Sequence, residues 1–582
     1  MTLLKVDVLP KILIMKNVKQ FLKYGVMLIL LSAVSFACKD TFLDAPPQGA
    51  LDSGTLGNQF GVESSLIAAY SLLDGWAQFG GWGGAGSNFV FGNMASDDAY
   101  KGSEPGDQQP MSDIELYQWS TGGADSYLND KWSNVYEGVA RCNATIALMN
   151  SVEDGISDAD RKRIEGEARF LRAHYHFDAY KLWKNIPYYT EADDDFRKAN
   201  DADALPLIIA DFEAAISLLP TSQDQIGRVT SWTAKSYLGK VHAFTNNYSG
   251  AKSLLDDVVN NGPYALEACY HDVFDVDFDN GSETILAYQA SSNDGDGGGE
   301  NGNRNDRLNF PHGGSPFGCC GFHQPSQNLV NAYKVDGSGL PLLDGSFNDA
   351  DVTLADPVDP RLDWTVGRDD VPFLDWGIHA PGWIRDRAWA GPYSDKKVIY
   401  EKASGVGSNV GWANYQLHAK NMHILRYGEV LLLLAEAEVE VGSVERAREL
   451  VNMIRTRAGA CAQGADGVSI TTAIDDPAIT WATYKVGTYD QAWTDKTAAR
   501  DAVRMEMRLE MAQEGHRFFN LRRWGIAKQV LNDYIAVEKS RRNYLTGASA
   551  YEDRHNLFPL PTVQIELSQV EGKDRLIQNP GW

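Results

Sequence analysis

The chain has 582 residues and a formal charge of −25 at pH 7, with 78 acidic side chains against 53 basic ones. A surface that acidic excludes a nucleic-acid footprint and argues against peripheral docking on anionic lipid, since both need clustered Lys and Arg. Aromatic residues make up 11% of the chain, and many stand beside Gly, Asn and Asp, as rings that stack on sugars do, although burial accounts for most of them.

At the N-terminus, Lys16, Lys19 and Lys23 precede an apolar run from Gly25 to Val34, and Ser35-Phe36-Ala37-Cys38 follows. This is a charged n-region, a short h-region and a small residue before a cut. The run of ~12 apolar residues falls short of the ~20 that a membrane-spanning helix needs. A cysteine just after the cut matches a bacterial lipobox, with Ser35 standing where Leu is usual. Residues 1–37 are therefore read as a lipoprotein signal peptide and Cys38 as the lipidated residue. An ordinary secretory signal or an uncleaved anchor is the alternative. Met15 is the more natural start, and residues 1–14 are a possible mis-start. The first 37 residues hold five Lys and one Asp, so their removal takes the formal charge from −25 to −29. Attachment then falls to the acyl chains on Cys38, because one chain anchors marginally and several anchor stably.

Helical periodicity comes next. Val62, Leu66, Ala69, Tyr70 and Leu73 line one stripe. Trp132, Val135, Tyr136, Val139 and Ile146 line a second, and Ile164, Ala168, Leu171, Tyr175, Ala179 and Leu182 a third. Residues 231–263 read as a tetratricopeptide-like hairpin, with Leu238-Gly239, Ala251, Leu255 and Pro263 at the repeat's spacings. Lys235 and His242 replace its usual Trp and Tyr. A second unit spans 426–459, with Leu434-Ala435, Ala447 and Val451 in the same relative positions. Two such hairpins this far apart predict an interrupted solenoid. The expected organisation is an N-terminal helical part at 38–263, a loop-rich insert at 264–420 and a C-terminal helical part at 421–582.

The insert is rich in Gly, Asn, Asp, Pro and Trp, with short strand-like pieces at 284–289 and 397–400. Residues 291–321 are dense in Gly and read as a long loop, which in a compact body is usually functional or mobile. Asp275, Asp277 and Asp279 resemble a calcium loop, with Val276 and Phe278 at alternating, strand-like positions. Asn280 stands where an EF-hand needs its glycine, so an EF-hand is rejected and another calcium site is left as the alternative. No metal ligand is assigned. Cys142, Cys269, Cys319, Cys320 and Cys461 form no disulfide framework and have no metal-ligand spacing. The adjacent Cys319 and Cys320 are read as unpaired loop thiols, with a vicinal disulfide as the alternative in an oxidising compartment.

The chain has no HExxH, no Walker A loop, no G-x-S-x-G elbow and no GxGxxG opening a helix. No catalytic residue and no cofactor is expected. His516, Arg517, Arg522, Arg523 and Trp524 form a dense basic-aromatic cluster. With Arg504 and Arg508 near Glu506, Glu510 and Glu514, buried Arg–Glu pairs are the favoured reading over an anion site.

Several segments together resemble the SusD/RagB family of Bacteroidetes outer-membrane lipoproteins. They are Phe42-Leu43-Asp44-Ala45-Pro46, the helix from Glu167 to Asp178, Ile186-Pro187, Asp359-Pro360-Arg361-Leu362 and the helix from Leu425 to Ala437. Glu510 to Trp524 resembles its E-L-x-x-E-G-x-R-x-x-D-L-x-R-W motif, and Leu557 to Pro561 and Gln578-Asn579-Pro580-Gly581 its closing segments. Asn520, Met507 and Gly428 depart from the family's usual Asp, Arg and Ala. These motifs read as scaffold rather than ligand site.

The resemblance implies a mostly α fold: a superhelix of tetratricopeptide-like hairpins with a loop-rich, strand-poor ligand-binding part packed on it. It implies a surface-exposed, lipid-anchored outer-membrane protein that binds oligosaccharide and hands it to a SusC-like TonB-dependent transporter. A peptide-binding member, a protein-binding tetratricopeptide-type scaffold or a surface glycoside hydrolase is the alternative. The family builds its ligand face from loops, and two windows here qualify. One holds Trp76, Phe79, Trp82, Asn88 and Asn93, and the other, 289–323, holds Asn303, Arg304, Asn305 and Phe317. Gly on each side of Trp82 leads us to expect an exposed ring there. Trp376 and Trp383 are read as core, and Trp389 is a weaker candidate.

Overall fold

The computed structural model describes residues 56–75, 81–295, 302–303, 306–408 and 415–582. Cys38 therefore lies outside the described residues.

The helices start where a short polar side chain can accept from their free backbone amides. α1 (Gln59–Tyr70) is capped by Asn58, α2 (Gly122–Ser151) by Thr121 and α3 (Asp158–Trp183) by Ser157. α4 (Leu205–Leu218) opens on a proline in its first turn. α5 (Ser231–Phe244) begins with a Thr230/Thr233 capping box, and α6 (Tyr248–Asn261) with Asn247. Beyond the insert come α7 (Tyr427–Val441), α8 (Val444–Ala458) and α9 (Lys496–Glu510), the last two capped by Ser443 and Asp495. Two shorter helices follow, α10 (Arg517–Arg523) and α11 (Ala527–Glu538).

From α1 to α9 each helix packs on the next in the chain, including α6 on α7 across the whole insert. The interrupted solenoid expected from the two degenerate repeats is the architecture observed. Gly239 sits where α5 crosses α6, and an added Cβ there would overlap the Leu255 side chain. The stripe residues Val62, Leu66, Ile164, Ala168 and Leu171 are fully buried in the helical core.

The strands are short, and each described sheet has two of them. β1 (Ala99–Gly102) pairs antiparallel with β3 (Phe322–Pro325), with Tyr100 opposite Gln324. β2 (Thr284–Tyr288) pairs antiparallel with β4 (Met422–Arg426) and so seats the start of α7. Residues 397–400 form no strand, which corrects the sequence reading. The backbone turns, with the Ile399 amide on the Lys396 carbonyl, and the Lys420 ammonium takes the carbonyls of Lys397 and Ile399 at 2.7 Å each. A buried cation has taken the place of a neighbouring strand.

The cysteine reading is also corrected. Cys319 is bonded to Cys320, and Cys269 to Cys461 across 192 positions. The second bond ties the start of the insert to the segment after α8, a closure that one sequence cannot reveal. Cys142 is free and buried. The insert carries its own aromatic core, with Tyr270, Phe310, Phe317, Trp364, Phe373, Trp376, Trp383 and Tyr400 in one cluster. Trp376 and Trp383 are each 7% exposed, as expected of core rings.

A buried charge network joins these parts. Arg361 meets Asp359 at 2.8 Å, Glu506 at 2.7 Å and Glu510 at 2.9 Å. Arg426 meets Glu283 at 2.9 Å, Glu510 at 2.6 Å and Glu514 at 2.8 Å. Arg457 bridges Glu283 and Glu510, Arg455 holds Glu506 at 2.8 Å, and Lys397 holds Glu514 at 2.5 Å. Five carboxylates thus face five cations, so this network holds no uncompensated charge. Gly428 belongs to this arrangement: a Cβ there would crowd Arg426 Nη1 at 2.6 Å and Glu283 Oε1 at 2.9 Å. The basic cluster near 517–524 pairs likewise. Arg517 meets Asp97 at 2.8 Å, Arg523 meets Glu436 at 2.7 Å, and the Trp524 indole donates to Glu436.

Burial by itself would raise the Glu514 pKa, but the charges of Arg426 and Lys397 outweigh it and hold the carboxyl at about 2. Glu510 is lowered for the same reason by Arg457, Arg426 and Arg361. A carboxylate with a depressed folded-state pKa contributes stability that is present above its unfolded value and lost as pH falls toward the folded one. The melting temperature is therefore expected to drop between about pH 4.5 and 2. Glu514→Gln should flatten that drop. Arg426→Met should cost about 3–5 kcal/mol at pH 7, because it strands buried carboxylates. Thermal and denaturant melts across pH check both.

Candidate functional site

The two loop windows of the sequence meet in the structure. β1 follows the first window and β3 closes the second, and their pairing draws the windows together. His323 is the joint. Asn93 Nδ2 donates to its Nε2 at 2.9 Å, which leaves Nδ1–H to donate to Asp395 Oδ2 at 2.8 Å. The Phe89 ring lies 5.5 Å from the imidazole. Asp306 sits beside this group, and burial first, then the charge of Asp395, raises its carboxyl pKa to about 6.

Two further loops close on the second window. The Asn303 amide donates to the His418 carbonyl at 2.8 Å, and the Gln416 side chain donates to the Cys319 carbonyl. The His312 and Gly314 amides donate to the Trp383 and Gly382 carbonyls, both at 2.8 Å. Asn303 and segments 306–323, 372–384 and 415–418 thus form one loop-built face over the aromatic core of the insert. On this face Tyr415 is 37% exposed and stands edge-on to Trp376, with 5.3 Å between ring centroids. The Trp376 indole donates to the Tyr400 carbonyl at 2.6 Å and packs 4.7 Å from Phe317. Tyr415 was not among the sequence candidates. Its neighbours Gly411, Trp412 and Asn414 carry the same Gly-aromatic-Asn composition as the first window.

The individual candidates fall in different places. Trp76, Phe79, Arg304 and Asn305 lie outside the described residues. The exposed ring expected at Trp82 is corrected: the side chain is 7% exposed and belongs to the main core. The flanking glycines do not free the indole. Gly83 lets the Trp82–Gly84 turn press on α2, where a Cβ would strike the Tyr127 backbone. Asn88 is also buried; its Nδ2 donates to Asp178 Oδ1 at 3.0 Å, and Asp178 pairs with Lys131 at 2.5 Å. Asn303 is 3% exposed, and its Oδ1 has no hydrogen-bond partner. Trp389 is half-buried and stacks on Tyr544, with centroids 4.0 Å apart. A separate groove of about 490 Å³ lies between α2, the 189–196 loop and residues 564–576, lined by Trp132, Tyr136, Tyr189 and Phe196.

The family model described as "SusD family" matches residues 282–582, more than half of the chain. The chain belongs to the SusD family. A second model, described as "Starch-binding associating with outer membrane", matches residues 85–242. Among curated relatives, SusD-like protein P25 of Formosa agariphila is 22% identical over 573 residues, which cover 92% of this chain and 95% of that protein. A SusD-like protein of Bacteroides ovatus is 26% identical over 287 residues, 46% of this chain and half of that protein. Among solved structures, a laminarin-binding SusD-like protein superposes with a TM-score of 0.64 at 22% identity, covering 90% of this chain and all of the other. Surface glycan-binding protein A from Bacteroides thetaiotaomicron in complex with laminarihexaose gives 0.64 at 19% identity, with 90% and 99% covered. These likenesses establish the SusD fold here.

In this SusD-family chain the motif residues pair with one another inside the scaffold. Glu167 accepts from Tyr70, Arg172 holds Asp211 and Asp178 holds Lys131, while Arg361, Arg426, Glu510 and Glu514 form the central network. The loop face contains none of them. Because Trp82 is core, Trp82→Ala should lower the melting temperature sharply, at a cost of about 3–5 kcal/mol, the range for deleting a buried Trp ring. An unchanged denaturation midpoint in that variant would restore the exposed-ring reading.

Proposed function

We propose that this protein is a cell-surface glycan-binding lipoprotein that captures oligosaccharide and delivers it to a SusC-like TonB-dependent transporter. The observation that carries the reading is family membership together with a loop-built face that gathers the chain's Gly-, Asn- and aromatic-rich segments. The printed names of two structural neighbours, which refer to laminarin and laminarihexaose, support a glucan-type glycan as the first ligand to try. The outer-membrane association in the description of the second family model supports the location. Lipidation at Cys38 supplies the tether. The protein acts as a binder, without catalysis.

In this reading the ligand contacts come from Trp76, Phe79, Arg304, Asn303 and Tyr415. Trp82 and Asn88 support the base of the first window from below. Flat rings give sugar faces an apolar surface, and amide and guanidinium groups satisfy hydroxyls.

Calorimetric titration with laminarin, starch-type and other defined oligosaccharides is the direct test. Tyr415→Ala and Arg304→Ala should each weaken glycan binding by about 1–3 kcal/mol, the scale of an interface hot spot, and leave the melting temperature nearly unchanged. Cys38→Ala should release the protein from the outer-membrane fraction. Binding to peptides and to no glycan, or release of new reducing ends from a glycan, would overturn the proposal.

A further inference from the structure

The turn region after Cys269 and the segment before Lys402 bring three ligand-type side chains together. His271 lies on the turn His271–Phe274, and Asp275 caps the next turn, Val276–Phe278. Glu401 precedes the turn Lys402–Ser404. Their ligating atoms all lie within 4.8 Å of one another. The alternating strand expected at 275–279 is not formed. Asp275 Oδ1 instead accepts from the Asp277 amide at 3.0 Å.

Two features separate this group from an ordinary surface cluster of acids. His271 and Glu401 are each only 6% exposed. Their Nε2 and Oε1 atoms form a close pair at 2.5 Å, and no third group donates to or accepts from these atoms or Glu401 Oε2. A buried imidazole and carboxylate that meet with Glu401 Oε2 and the Asp275 carboxylate left over offer donor atoms to a shared cation. Asp275 is partly exposed and opens the group to solvent.

The surroundings fit a metal. The Trp364 ring stacks on the imidazole at 4.5 Å and 12°, which fixes its orientation. Asp272, Asp277, Asp279 and Lys420 are among the charged neighbours. Carboxylates outnumber the one ammonium here, and a divalent ion would reduce the excess. The Lys420 ammonium is held by the Lys397 and Ile399 carbonyls. Burial first, and the charge of Glu401 among the lesser causes, raises the Asp275 carboxyl pKa.

We propose that His271, Asp275 and Glu401 bind a divalent cation of the zinc class, with solvent completing the coordination. One imidazole and two carboxylates suit a four-coordinate zinc ion, whereas calcium takes six to eight oxygens. The ion would clamp the start of the insert to its 394–401 segment, beside the Cys269–Cys461 bond.

The test uses the purified protein after chelator dialysis. Zinc should bind at one equivalent by calorimetry and by elemental analysis after desalting. It should raise the melting temperature, as any ligand specific to the folded state does, and chelator should reverse the rise. Asp275→Asn, at the partly exposed ligand, should weaken zinc binding by about tenfold or more while the metal-free protein melts as before. Glu401→Gln should abolish the zinc-dependent rise. No stoichiometric zinc, equal zinc affinity in Asp275→Asn, or a rise given by calcium but not by zinc would overturn the proposal. An imidazolium–carboxylate pair alone predicts that Glu401→Gln changes stability equally with and without zinc, and that result would overturn it too.

Discussion

The fold hangs on the buried pairing of Glu510 and Glu514 with Arg361, Arg426, Arg457 and Lys397. These residues come from the insert, from the strand end that leads into α7, from the end of α8, and from the end of α9 and the turn after it. Arg361 and Glu510 are 149 positions apart. The charges are buried or nearly so, with Glu514 the most exposed at 12%, so each is tolerable only if the others arrive. The network therefore acts as a register lock: a helix displaced by one turn would strand a charge in the core. This accounts for a solenoid that closes α6 onto α7 across a long insert without a continuous repeat to guide it.

With the scaffold locked, the insert can be built from loops. It has little regular structure, and it meets its backbone needs with buried side chains. Lys420 caps two carbonyls, His323 joins two windows, and the Cys269–Cys461 bond pins one end. Loops held in this way can vary in sequence without disturbing the hairpins beneath.

Much of this was legible in the chain. Periodicity located the helices, because a buried stripe must recur with the helical turn. The basic cluster at 517–524 was read as paired, and Arg517 and Arg523 are paired with Asp97 and Glu436. The site was less legible. Trp82 looked exposed because glycine flanks it, yet glycine also allows close approach of backbones, and α2 lies against it. The segment 397–400 looked like a strand, yet its carbonyls went to Lys420. Both cases turn on a partner far away in sequence.

By itself, then, the sequence determined the helical stripes, the degenerate repeats and the scaffold motifs, all of which depend on local spacing or on short ordered patterns. Tertiary structure alone decided which cysteines pair, that Trp82 is core, that the two loop windows meet at His323, and that His271 and Glu401 converge. Those outcomes depend on which distant segment supplies the neighbour. A desolvated charge, a ring or a thiol has no preferred partner until the chain has closed around it.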